Sequence, residues 1–133
     1  MSSACPTLKR SAHATEAATK TALAALDLTL VRARLVKQGF SPDRADTAIF
    51  RYRQFLFLCA KYDDNTPTVD VDEVWHAHIL FTRQYADDCR AVFGTFLHHD
   101  PGTGDPGDEA KFRKVFQRTK DRIVAEFGPH LAW

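Results

Sequence analysis

Ser41-Pro42-Asp43-Arg44-Ala45-Asp46-Thr47-Ala48-Ile49-Phe50-Arg51-Tyr52-Arg53-Gln54-Phe55-Leu56-Phe57-Leu58-Cys59-Ala60-Lys61-Tyr62 is the stretch that sets the fold class. A serine cap, a proline at the first helical position and an acid in the first turn together start a helix. Ile49, Tyr52, Leu56 and Cys59 then form one apolar stripe, and Phe50 and Phe57 form another. A helix with two such stripes is covered on more than one side, so this one is expected at the centre of the core. Asp63-Asp64-Asn65-Thr66-Pro67 is a dense turn signal that ends it.

Upstream, Met1 to Ala14 is rich in Ser, Ala and Thr without apolar periodicity and reads as a flexible tail. From about Thr15 to Gln38 the three-to-four spacing of Leu23, Leu26, Leu30 and Ala33 predicts one long first helix, closed by Gly39. Downstream, Asp70 and Glu73 resemble a capping box opening a third helix. That helix runs on to Phe93 or restarts at Thr82; both alternatives stand at this level. Gly94 stops it, and Thr95 to Gly107, with three glycines and two prolines, is a loop. A last helix from about Asp108 to Phe127 carries the stripe Phe112, Phe116, Ile123 and Phe127 before Gly128-Pro129. No alternating run predicts a strand. The expectation is an all-α protein, a compact bundle of four to five helices with a Gly/Pro-rich loop before the last, forming one domain over residues 15–133.

A formal net charge of +1 gives no global field for a polyanion. The basic groups Arg51-Arg53 and Lys111 to Arg122 are spaced as solvated helix faces, so nucleic acid is not an expected partner. Cys5, Cys59 and Cys89 are an odd number with no C-x-x-C pair, which argues against a disulfide framework or a zinc ribbon and suits a reducing cytoplasm. No apolar run approaches the roughly 20 residues of a membrane span, and the first residues lack the pattern of a secretory signal. A small molecule or a protein is the partner class left open.

Four of the six histidines lie between positions 76 and 99, as Trp75-His76-Ala77-His78 and His98-His99-Asp100-Pro101. Imidazole is the commonest metal ligand and the side chain most easily tuned for proton transfer near neutral pH. Residues two apart on a helix are about 200° apart in direction, so His76 and His78 cannot together chelate one ion from a regular helix. His78 falls on the apolar face with Val71, Val74, Trp75 and Phe81, and with Tyr85 and Cys89 if the helix continues. His76 falls with Asp72 and Glu73. His98 and His99, at the start of the loop, could meet either. Three nitrogen or oxygen donors with an open position suit zinc or non-haem iron. The candidate ligands are therefore His76, His78, His98 and His99, with Asp72, Glu73 and Asp100 the carboxylates in reach. The candidate acid–base set is His76 oriented by Asp72 or Glu73. Glu73-x-x-His76 also has di-iron spacing, but such sites need a second copy, which this sequence lacks. Cys89 lies beside Asp87 and Asp88 near a helix end, an environment that disfavours thiolate, and Tyr85 reads as a core residue with a bonded hydroxyl.

Tyr52-Arg53-Gln54-Phe55-Leu56, Pro67, Asp70-Val71-Asp72-Glu73-Val74-Trp75-His76-Ala77-His78-Ile79-Leu80, Tyr85 and Asp88-Cys89 resemble the glycine-rich domain-containing protein-like family. The resemblance spans roughly residues 48–101 and rests on the Trp-His-x-His-x-Leu core with its following Tyr and Cys. It implies a small stand-alone member of bacterial type, marked by His98-His99-Asp100-Pro101, whereas larger plant relatives carry the region ahead of a glycine-rich segment. It implies no particular reaction; Trp75, His76, His78, Tyr85 and Cys89 are the positions that match. The expected function is a small intracellular, metal-binding helical protein, with a metal-dependent hydrolase or oxygenase as its enzymatic form. The competing expectation is a non-catalytic interaction module in which Trp75, His78, Tyr85 and Cys89 form a structural cluster.

Overall fold

A computed structural model describes residues 3–4, 15–102 and 105–133. It is all-α, as the periodicity predicts, with helices α1 (Glu16–Ala24), α2 (Thr29–Lys37), α3 (Pro42–Lys61), α4 (Val69–Leu80), α5 (Thr82–Phe93) and α6 (Asp108–Phe127). A 3-10 turn at Pro129–Leu131 follows. Of the expected N-terminal tail only Ser3–Ala4 is described; as β1 it pairs antiparallel with β2 (Asp100–Pro101). The rest of that tail lies outside the described residues.

Among the described residues there are six helices: the expected first helix is broken in two, and the third restarts at Thr82, one of the two alternatives left open by the sequence. The first breaks after Ala24. Arg53 of α3 donates to the carbonyl of Leu23, in the last turn of α1, and to that of Leu26 just beyond it, supplying partners that a continuing helix would otherwise provide. Asp27 then accepts from the Thr29 N–H at 3.0 Å and starts α2. The leucine spacing runs straight through this junction because Leu26 and Leu28 are both buried in it. The second break is at Phe81, whose φ of −85° and ψ of 70° are not helical. Thr82 is thus the first residue of α5 and not its cap.

The start of α4 also differs from the expected capping box. Thr68 is the cap, its hydroxyl accepting from the Val71 N–H at 3.1 Å. Asp70 instead takes a two-pronged ion pair from Arg44 at 3.0 and 2.8 Å, tying α4 to the start of α3. That guanidinium holds the Asp70 carboxyl below its ordinary range.

α3 packs against α1, α2, α4 and α6. Tyr52, Phe55, Leu56, Phe57, Leu58 and Cys59 are all buried, so α3 is covered on more than one side, but of the expected second stripe only Phe57 is buried: Phe50 is half exposed, and Ile49 of the first stripe is partly buried. Each such fully buried Phe or Leu side chain contributes about 1.5–3 kcal/mol. Phe55 meets Trp75 of α4 with ring centroids 5.3 Å apart, so the helix bearing the histidines is anchored on the centre of the core. Among the described residues no helix is long and apolar enough to cross a membrane.

Candidate metal site

α4 is a partition. Its outer edge carries Asp72 and His76, one turn apart, and its inner edge carries His78, which is 1% exposed. The opposition expected from the 200° separation is present.

On the outer edge Asp72 stands between two imidazoles. His99 donates from Nε2 to Asp72 Oδ1 at 2.9 Å, while His76 Nε2 lies 3.6 Å from Asp72 Oδ2. The two rings are 4.5 Å apart between centroids, and one donor atom from each of the three residues falls within 4.8 Å of the others. Two donors on one tetrahedral ion with bonds of about 2.1 Å are separated by about 3.4 Å, so this set needs only small side-chain adjustments to share a cation. Asp72 and His99 side chains are 12% and 11% exposed, and His76 is 47% exposed, so the group is walled on one side and open to solvent on the other.

The chain after α5 delivers His99. Gly94, with φ of 73°, ends α5 in the left-handed conformation that glycine adopts at least cost. Leu97 is then fully buried, and its carbonyl accepts from the Tyr85 hydroxyl, which itself accepts from Trp75 Nε1 at 2.9 Å. With Leu97 pinned inside, His99 lies against the Trp75 indole, centroids 4.2 Å apart. His98 points the other way, onto Phe96, and is exposed. Of the loop pair, only His99 therefore joins the cluster.

Glu73 is exposed and shares the electrostatic field of Arg44, so it is not gathered with His76 as the sequence alone allowed. Asp100 is exposed, and its backbone is taken up in β2. His78 is not gathered with His98 or His99 either. The Tyr52 hydroxyl lies 2.7 Å from His78 Nδ1, and Asp88 Oδ2 lies 2.7 Å from Nε2. Burial pushes the Tyr52 phenol well above its ordinary pKa and, despite the Asp88 hydrogen bond, draws His78 below its own. Both groups are therefore neutral near pH 7: Tyr52 donates to Nδ1, and Nε2–H donates to Asp88. Gln84 steadies the same carboxylate at 3.3 Å while donating to the Asp27 carbonyl at 2.7 Å. Both His78 nitrogens are thus committed inside the core. Tyr52, Gln84 and Asp88 are the partners that sequence reasoning did not assign, although Tyr52 and Asp88 lie in the stretches that carry the family resemblance.

Tyr85 and Cys89 are buried, and burial raises the pKa of both. The phenol is a hydrogen-bonded core group and the thiol is far from a nucleophile.

A family model described as UCP032817-like matches residues 27–121. Over 87 residues, or 61% of this chain, the sequence is 33% identical to Glycine-rich domain-containing protein 1 of Arabidopsis thaliana. It is 30% identical to Glycine-rich domain-containing protein 2 of the same plant over the same length. Each match takes in only 11% of the plant protein, so it concerns one segment of those longer chains. No solved structure matches. Residues 27–121, matched by the family model, contain α2 to α5 and with them Asp72, His76 and His99.

Proposed function

The chain belongs to the UCP032817-like family, in keeping with the glycine-rich domain-containing protein-like motif, and for this member we propose binding of a divalent metal ion by Asp72, His76 and His99. The observation that carries the reading is the convergence of two imidazoles and one carboxylate from α4 and the segment after α5, on a face open to solvent. Two histidines and a carboxylate with free positions are a donor set used by zinc hydrolases and by non-haem iron oxygenases. A bound ion would supply an acidified water or open positions for oxygen. The protein's part is to fix the donors: packing of His99 on Trp75 sets one ring, and the helix turn between Asp72 and His76 sets the spacing. Cytoplasmic location and catalysis on a small molecule belong to the same proposal.

The test is elemental analysis of tag-free protein purified with zinc and iron both supplied. About one equivalent of metal per chain is expected, lost in Asp72→Ala, His76→Ala and His99→Ala and kept in His98→Ala. Metal-free wild type, or metal that survives the first three substitutions, removes the reading. The non-catalytic alternative has its own support for part of the cluster. The closed Trp75–Tyr85–Leu97 and Tyr52–His78–Asp88 hydrogen bonds support a fold-holding role for Trp75, His78 and Tyr85, and Cys89 packs beside them.

A further inference from the structure

Asp72 and His76 stand on a helix, whereas His99 comes from the segment after α5, so its placement depends on how the chain is held on either side of it. Two residues before it, Leu97 is fully buried and its carbonyl accepts from the Tyr85 hydroxyl. On the other side Asp100 and Pro101 have exposed side chains, so burial does not anchor them. What holds the backbone there among the described residues is its pairing with Ser3–Ala4, from the first residues of the sequence: Ser3 stands opposite Pro101 and Ala4 opposite Asp100.

Opposed residues in an antiparallel ladder alternate between pairs that exchange N–H and C=O bonds and pairs that do not. Pro101 has no N–H, so its pair with Ser3 cannot be of the exchanging kind. Ala4 and Asp100 are therefore the pair that exchanges both bonds. The Asp100 N–H belongs to the same peptide unit as the His99 carbonyl, so the strand pins the backbone immediately after the ligand. Leu97 and Asp100 thus bracket His99, but with unequal grip. The first is a core contact, while the second is a ladder of two residue pairs with exposed side chains on the β2 side. Pairings of that kind open at free energies well below that of global unfolding.

Building on the metal reading of Asp72, His76 and His99, we propose that the Ser3–Ala4 strand is a releasable clamp that regulates occupancy of that site. Docked, it holds His99 where Asp72 and His76 can share an ion with it. Undocked, it leaves His99 held from one side, and the ion must order the segment as it binds. Linkage makes the effect reciprocal: if docking raises the affinity for metal, metal favours docking by the same factor. The first residues of the sequence, which carry no catalytic motif, thereby acquire a part in the site.

Tag-free full chain is titrated calorimetrically at pH 7.5 with zinc and, under argon, with ferrous iron. Ala4→Pro removes an N–H from the exchanging pair and should weaken metal binding roughly tenfold, as loss of a group that orients a metal ligand does. Ala4→Ser keeps that N–H and should bind as the wild type does. A second measurement needs no variant of the strand: metal should slow hydrogen exchange at the Ala4 and Asp100 amides of the wild type by the same factor, and should leave them unchanged in Asp72→Ala. A strand that merely supports the fold would show neither effect. Wild type that binds neither metal removes the metal reading and the clamp with it. If wild type binds, the clamp alone is overturned by unchanged affinity in Ala4→Pro, by an equal loss in Ala4→Ser, or by exchange at Ala4 and Asp100 that metal does not slow.

Discussion

His78 shows how a residue type that suggests chemistry can serve the interior instead. Its two nitrogens are spent on Tyr52 and Asp88, contributed by α3 and α5, so removing the ring strands a buried hydroxyl and a largely buried carboxylate. His78→Ala is expected to cost about 3 kcal/mol in urea unfolding at pH 7.5, with metal content unchanged. The pH dependence has a defined sign. Burial lowers the folded-state pKa of His78 below the ordinary 6.5, so the unfolded chain takes up the proton first as the solution is acidified. Above about pH 6.5 the residue leaves stability level; below it, stability falls until the folded-state value is reached. The loss of stability between pH 7.5 and 5.5 should therefore be smaller in His78→Ala than in wild type. The inward direction of His78 was legible from helix geometry. Its partners were not, because Tyr52 lies 26 residues away and Asp88 lies across the Phe81 break, where helical spacing no longer applies.

At the scale of elements, caps and breaks decide which side chains meet. α3 could be read correctly because its start is spelled out locally by Ser41-Pro42-Asp43, with Ser41 accepting from the Arg44 N–H. The sequence does not part α1 from α2 because the signal that does so, Arg53 reaching the carbonyls of Leu23 and Leu26 at their junction, arrives from another helix. The same limit left His98 and His99 equivalent until Leu97 was seen to be the buried residue between α5 and the loop. Two end residues can be tested directly. Thr68→Ala removes the α4 cap and should lower stability by about 1 kcal/mol. Gly94→Ala has open space for the added carbon but must hold a positive φ, and should also cost about 1 kcal/mol. Both are read as a shift in the denaturant midpoint at constant slope.

For the whole molecule, metal binding and folding are linked if the ligands come together only in the native chain. Asp72 and His76 share a helix, but His99 reaches them only when Leu97 is buried, so an ion should favour the folded state. Zinc at one hundred times its Kd should add about 2.7 kcal/mol, seen as a higher melting temperature. The gain should vanish in Asp72→Asn. The partition made by α4 has a wider consequence. Asp72, His76 and His99 meet on a face that shares no hydrogen bond with the Tyr52–His78–Asp88 network, so the two edges of one helix answer to separate demands. Substitution of His76, the exposed member of the outer edge, should alter any metal binding there while the Tyr52–His78–Asp88 hydrogen bonds stay in place. A scaffold arranged in this way can change occupation over evolutionary time without first becoming unstable.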